Sequence, residues 1–163
     1  MLALALAGCG SGAVDTGTGA AAAETPRPTP SPAPADRIAD GANILSAAQK
    51  AELLARMGSL EARTKRRVVV ATVTTLNGRD IDAVAEDIGN RLGVHDGVVL
   101  VVSIKDREYR LAVGQGAIGL ISQAEAARIA KESLQPDLHA NRFDLGILKG
   151  VDRIIAELSE TIA

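Results

Sequence analysis

The chain has 163 residues, a net charge of −2 and an apolar content of 47%. This length is typical of one folded domain, and the absence of a basic surplus argues against nucleic acid as a partner. Cys9 is the only cysteine, and Tyr109 and Phe143 are the only aromatic residues, which excludes an intrachain disulfide, a cysteine-based zinc cluster and an aromatic surface for stacking sugars or bases.

The chain begins with a short apolar run that ends in two small residues and a cysteine, Leu6-Ala7-Gly8-Cys9. Small residues let a signal peptidase approach the backbone, so the pattern resembles the bacterial lipobox, in which the cysteine becomes the lipid-modified first mature residue. This interpretation makes 1–8 a signal peptide and Cys9 a lipid anchor. It predicts a protein of the bacterial cell envelope that is held at the membrane and faces the periplasm or the exterior. The alternatives are an ordinary secretory signal and a chance cysteine.

Residues 9–35 have the composition of a linker. They are rich in Gly, Ser, Thr and Ala, and proline then occupies every second position from Pro26 to Pro34. Such spacing favours an extended, polyproline-like segment without internal hydrogen bonds. We expect it to hold a folded domain, residues 36–163, away from the bilayer.

Helical and strand patterns follow one another in this domain. Ser46 with Gln49, and Ser122 with Glu125, are typical capping boxes. Pro136 is expected to break the chain, and Leu145 is placed on the inward face of the last helix. The hydrophobic spacing predicts helices over 47–64, 80–92, 122–133 and 143–162, and strands over 67–73, 98–104 and 108–113.

This order of elements predicts an α/β fold with a small mixed β-sheet. The helix between the first two strands implies a right-handed parallel crossover, and the short connection Lys105-Asp106 implies an antiparallel hairpin. Helices are expected on both faces of the sheet, giving three layers.

Several short motifs follow one another along the domain: Ile38-Ala39-Asp40, Ile44-Leu45-Ser46, Asp96-Gly97-Val98, Asp106-Arg107, Arg110–Gly116 and Phe143–Ile147. In their order and spacing, residues 37–160 resemble the TPM domain, also called the TPM-phosphatase domain. The members of this family include bacterial envelope proteins and a thylakoid-lumen phosphatase linked to photosystem II repair. Where many members have Glu two residues after a glycine pair, this chain continues Ala117-Ile118-Gly119.

Three functions are open, and the resemblance implies the first two. The first is an accessory, assembly or repair role for a membrane protein complex of the envelope. The second is a divalent-metal-dependent phosphatase that acts on phosphate monoesters. The third is a structural periplasmic domain without activity of its own.

Three aspartates are candidate metal ligands. Asp96 directly precedes a predicted buried strand, and Asp40 and Asp137 lie in predicted loops. Calcium and magnesium prefer carboxylate oxygens, and the resemblance implies an acidic site for such a divalent cation. We therefore expect Asp40, Asp96 and Asp137 to converge. The alternative for Asp96 is a turn cap, which is a common role of Asp before Gly.

In the phosphatase hypothesis Asp96 and Arg107 are the catalytic residues, because a bound cation and a guanidinium together offset charge on a phosphoryl group. The alternative for Arg107 is a solvated hairpin turn. The segment Gly114–Gly119 matches G-x-G-x-x-G, but it follows a hairpin strand, so no nucleotide cofactor is expected. Gly114 and Gly116 are instead predicted to let a neighbour or a ligand approach the backbone closely.

Overall fold

The computed structural model describes residues 37–160. The predicted signal peptide, Cys9 with the linker 9–35, and the end of the last predicted helix therefore lie outside the described residues. Within the described range no helix is long and apolar enough to cross a membrane.

The helices begin where the sequence offers side chains that cap them. Ser46 begins the first long helix with both halves of a capping box, and Asp80 and Ser122 accept hydrogen bonds from the backbone of the helices that follow them. The elements are β1 (Ile38–Asp40), α1 (Ala47–Thr64), β2 (Arg67–Val73), α2 (Ile81–Arg91), β3 (Gly97–Ser103), β4 (Glu108–Val113), α3 (Gln123–Ser133), α4 (Gln135–His139) and α5 (Phe143–Glu160).

The four strands form one mixed sheet in the order β1-β2-β3-β4. The first three strands are parallel, and β4 pairs with β3 in the antiparallel direction. All seven residues of β3 are buried, as expected for a central strand covered on both faces. The predicted α/β fold is confirmed.

The two faces of the sheet are covered unequally. One face packs against α1, α3, α4 and α5, and this side holds the larger core, with Leu53, Leu100 and Ile154 fully buried. The other face is covered by α2, whose Val84, Ala85 and Ile88 meet the opposite side of β2 and β3. The single helix on this face leaves a space beside β4.

Three features differ from the sequence prediction. The strand β1 was not predicted, because three residues are too few to show a periodicity. Pro136 does not break the chain but lies in the first turn of α4, where its missing N–H removes no helical hydrogen bond. Leu145 does not face inward and is 40% exposed.

The orientation of α5 explains the exposure of Leu145. Gly146 and Gly150 lie on the buried face of this helix. An added Cβ would come within 2.9 Å of Leu138 at Gly146 and within 2.7 Å of Leu134 at Gly150. The two glycines therefore form the face that α3 and α4 approach, and Leu145 falls outside it.

Candidate functional site

The structure does not bring the three candidate metal ligands together. Asp40 ends β1 opposite Thr72, whereas Asp96 precedes Gly97, which pairs with Arg67 at the other end of β2. Five residues at about 3.3 Å each separate Arg67 from Thr72, so Asp40 and Asp96 lie on opposite edges of the sheet. The expected convergence is corrected, because parallel strands send the end of one and the start of the next to opposite edges.

Within residues 37–160 no group of three or more His, Cys, Asp or Glu side chains is placed to hold a metal ion. A divalent cation held by one of these carboxylates together with other ligands stays a prediction.

Asp40 closes the loop between β1 and α1. Its carboxylate accepts hydrogen bonds from the Thr72 hydroxyl and from the N–H groups of Ile44 and Leu45, and it lies 2.8 Å from Nζ of Lys50. Burial by itself would raise the pKa of Asp40, but Lys50, Thr72 and the two backbone donors outweigh it and hold the pKa below its usual value. Asp40 therefore remains an ionised acceptor that fixes the loop.

Asp137 joins α4 to α5. Its side chain is 2% exposed, and its two oxygens lie 2.7 Å from Nζ of Lys149 and 2.7 Å from the Arg142 guanidinium. The Lys149 hydrogen bond is the main cause that lowers the pKa of Asp137, with Arg142 acting in the same direction. Asp137 is thus a buried structural carboxylate that two partly exposed cations neutralise.

Arg107 lies at the carboxyl edge of the parallel strands, in the turn between β3 and β4. It adopts a positive φ of 56°, and its guanidinium donates to Oδ1 of Asn141. Asp96 lies at the amino edge, so the structure does not unite the proposed catalytic pair of Asp96 and Arg107. Arg107 therefore lies in a solvated turn and makes one hydrogen bond to the loop after α4.

Asp106, the neighbour of Arg107, has a role that sequence reasoning missed. Its carboxylate accepts from the Ser103 hydroxyl at 2.6 Å, the Leu76 N–H at 2.6 Å and the Thr75 hydroxyl at 3.3 Å. These donors, Ser103 first, lower the pKa of Asp106. The carboxylate therefore ties the hairpin to the loop after β2. In the sequence, a serine three residues before an aspartate in a predicted turn could have indicated this contact.

The glycine loop after β4 lies against Asp96. The N–H of Gly114 donates to Gly97 O at 2.8 Å, and the N–H of Gly116 donates to His95 O at 3.0 Å. An added Cβ would lie 2.4 Å from His95 O at Gly114 and 1.6 Å from Oδ1 of Asp96 at Gly116. The glycines therefore allow close approach of the segment before β3, which leaves the Asp96 carboxylate resting on the loop.

Arg66 completes this corner of the domain. Its Nη1 donates to Gly116 O at 3.0 Å and lies 3.6 Å from Oδ1 of Asp96. The Asp96 side chain is nevertheless 67% exposed. Asp96 is thus the one aspartate of the three candidates with a largely solvent-accessible carboxylate.

A groove of about 320 Å³ opens between α2 and β4, on the face covered by α2 alone. Its floor is formed by small and apolar side chains. The upper end, which is the end beside the first turn of α2, is closed by an ion pair of 2.5 Å between Arg110 and Asp82. The lower end holds polar side chains, of which Gln123 donates to Val113 O, and the exposed side chain of Glu86 also lines the groove. The floor residues are Ala85, Gly89, Val94, Val99 and Ala112, and the polar residues of the lower end are Asn90, His95, Gln115 and Gln123.

Sequence reasoning did not find this groove, because its lining comes from α2, β3, β4 and two loops. The Arg110 guanidinium, which lines the groove, is paired with Asp82. The recoverable signal was the pair Ala85 and Gly89, which lie one turn apart on α2 and keep that part of the helix surface shallow.

A sequence model of the TPM domain matches residues 38–157 of the chain. The chain belongs to the TPM-domain family. The match includes all four strands and extends into the last turns of α5, so the groove and the glycine loop lie within the TPM domain. No curated protein sequence matches the chain.

Solved structures share this fold at low sequence identity. The TPM domain superimposes on the N-terminal domain of a P. gingivalis protein with a TM-score of 0.74 and 20% identity, covering 77% of this chain and 83% of the other. The N-terminal domain of the Corynebacterium glutamicum protein cg2496 gives a TM-score of 0.62 at 13% identity, with 74% and 78% covered. The BA42 protein of the psychrophilic bacterium Bizionia argentinensis gives 0.62 at 17% identity, with 72% and 83% covered. These similarities establish the fold.

Proposed function

We propose that this TPM domain is an accessory or assembly factor of the bacterial envelope, which binds a component of a membrane complex through the groove between α2 and β4. A lipid on Cys9 holds it at the membrane. The observation that carries the proposal is the chemistry of the groove: an apolar floor, polar side chains at one end, the Arg110–Asp82 ion pair at the other, and the exposed carboxylate of Glu86, which has no ion pair within residues 37–160. A concave site with an apolar surface and a few placed polar groups is the usual form of a binding site.

The hydrogen bonds and lowered pKa values of the aspartates at the carboxyl edge favour a binding role over a catalytic role. Asp40 and Asp106 each accept several hydrogen bonds from the domain itself, and both have a lowered pKa. A general acid works best with a pKa near the working pH, and such a group needs free access to its substrate. These two side chains therefore serve loop geometry.

Site-specific crosslinking in cells tests the proposal. The photoreactive amino acid p-benzoylphenylalanine replaces Gln115 at the lower end of the groove, in the full chain. We expect discrete adducts with one or a few envelope proteins, because a bound partner lies within reach of this side chain. The measurement is the adduct pattern after irradiation of whole cells.

The control position is Ala127, an exposed residue of α3 on the other side of the sheet. A second variant, Gly89→Leu, fills the groove floor, and its far-UV circular dichroism establishes that it still folds. Adducts that form equally from Ala127, or that persist after the groove is filled, contradict a binding role of this site. An absence of adducts from both positions favours a structural domain.

A metal-dependent phosphatase is the second candidate function, and the exposure of Asp96 favours it. The Asp96 carboxylate is 67% exposed beside the Arg66 guanidinium, so its oxygens have room for a cation and a substrate phosphate. We expect the purified full chain to hydrolyse p-nitrophenyl phosphate no faster than the buffer blank, with either Mg²⁺ or Ca²⁺ present. A metal-dependent rate that falls about a hundredfold or more in Asp96→Asn would replace the binding proposal with this one.

A further inference from the structure

The connection between α1 and β2 carries four cationic side chains in five residues, Arg63-Thr64-Lys65-Arg66-Arg67. The helix ends here because Lys65 adopts a left-handed conformation with a φ of 59°, and its N–H donates to Glu61 O. The strand β2 starts two residues later. The cationic run therefore lies at the amino edge of the parallel strands.

The cations of this run are only partly matched by acidic groups. Arg63 and Lys65 are exposed, and no carboxylate within residues 37–160 lies at ion-pair distance from either of them. The Arg63 guanidinium donates only to Ser59 O of its own helix. Arg66 lies 3.6 Å from Asp96, an exposed and weak pairing.

Most of the remaining charges at this edge are paired, but Glu160, at the end of α5, is an exposed carboxylate without an ion pair in residues 37–160. Glu61 is shared between Arg37, at 2.5 Å, and Arg67, at 3.7 Å. At the end of α2, Arg91 lies 3.5 Å from Asp87. At the end of α5, Glu157 pairs with Arg153, and Glu160 is the last described residue. The unmatched positive charge is therefore concentrated at Arg63 and Lys65.

The chain enters the domain at this same edge. Arg37 immediately precedes β1, which is parallel to β2, so residues 1–36 join the domain on the side that carries the cationic run. An anchor at Cys9 is thus connected to this edge of the sheet and not to the edge that carries Asp40 and Arg107.

We infer that the amino edge of the domain, with Arg63 and Lys65 at its centre, is the surface that lies against the membrane, and that its ligand is a bilayer of anionic lipids. This inference rests on the proposed membrane attachment, and it replaces the expectation that the linker 9–35 holds the domain away from the bilayer. Each cation close to an anionic bilayer raises the affinity roughly fivefold, and the attraction fades within a Debye length of about 8–10 Å. Cations at the opposite edge of the sheet lie beyond that distance when the amino edge is in contact.

Vesicle binding by the unlipidated full chain tests the inference. In the Cys9→Ser chain no lipid can be attached, so only the protein surface contributes. The probe is a vesicle of phosphatidylcholine, with or without about one third phosphatidylglycerol, and binding is measured by cosedimentation at low ionic strength. We expect binding only to the anionic vesicles, and we expect Arg63→Glu with Lys65→Glu to weaken it at least about tenfold.

The matched control is Lys105→Glu with Lys131→Glu. Both lysines are exposed and lie towards the opposite edge of the sheet, and the pair changes the net charge by the same amount. We expect less than a threefold loss from this pair.

Equal losses from both pairs, equal binding to both kinds of vesicle or no binding at all would each overturn the inference. Crosslinking from Gln115 reports a protein partner in cells, whereas vesicle binding uses only the purified chain and lipid. A failure here is therefore distinguishable from a failure of the proposed function.

Discussion

Replacing Gly97 with alanine is expected to lower the free energy of unfolding by about 3 kcal/mol. A Cβ at Gly97 would lie 2.0 Å from the carbonyl oxygen of Arg67 and 2.8 Å from its carbonyl carbon. Both atoms belong to the backbone of β2, and Arg67 is paired with Gly97 itself, so it cannot move away without loss of sheet hydrogen bonds. Urea denaturation of the full chain, followed by far-UV circular dichroism, measures the change.

Gly119→Ala is the matched control. No atom lies within 4 Å of the Cβ that this substitution adds, and the backbone there does not have a positive φ, so we expect a change of less than about 1 kcal/mol. Equal free energies of unfolding for the two variants would contradict this prediction, because they would show that the backbone of β2 can move to accommodate the added Cβ. The expected destabilisation would show that Gly97 is needed for close packing of β3 against β2. Of the pair Asp96-Gly97, only the aspartate would then be available for a ligand.

Replacing Asp40 with alanine is expected to destabilise the domain by about 2–4 kcal/mol at pH 7. The side chain of Asp40 is 3% exposed, and its removal leaves the Thr72 hydroxyl and the N–H groups of Ile44 and Leu45 without their acceptor. Lys50 is 35% exposed and recovers water, which limits the cost. The surface variant Asp87→Asn, with a 55% exposed side chain, is expected to change stability by less than about 1 kcal/mol.

The same carboxylate makes stability depend on pH. The pKa of Asp40 is lower in the folded domain than its ordinary value of 3.8, so the contribution of its carboxylate to stability is fully present above that value and is lost as the pH falls through the folded pKa. We therefore expect the Asp40→Asn variant to lose less stability than the wild type between pH 5 and pH 3. Parallel acid losses in the two proteins would contradict this role. Asp106 and Asp137 also have lowered pKa values, so part of the acid loss remains in the variant.

The long elements were predictable because their signals are local. Capping side chains mark the starts of α1 and α3, and the unbroken apolar run of β3 reports burial on both faces. The strand β1 has no such signal, since three residues are held by pairing with β2 and by the Asp40 loop. Contacts distant in the sequence therefore decide whether this segment becomes a strand.

The missing strand also explains the error at the site. With β1 parallel to β2, Asp40 must lie at the carboxyl edge and Asp96 at the amino edge. The strand topology therefore decides whether the two carboxylates converge. The groove could not be predicted from the sequence for a related reason. Its lining residues, such as Ala85 and Gln123, become neighbours only when α2 and β4 share one face of the sheet.

The three-residue strand β1 has a mechanical consequence for a tethered protein. Tension on the residues before Arg37 acts along β1 and shears it against β2, where three residue pairs, the Arg37–Glu61 ion pair and the contacts of Asp40 with Thr72 and Lys50 resist. The neighbouring pair of β2 and β3 spans seven residues in the core. Under a pull through the proposed membrane attachment, we expect β1 to detach first, while the rest of the sheet, with the groove, stays folded.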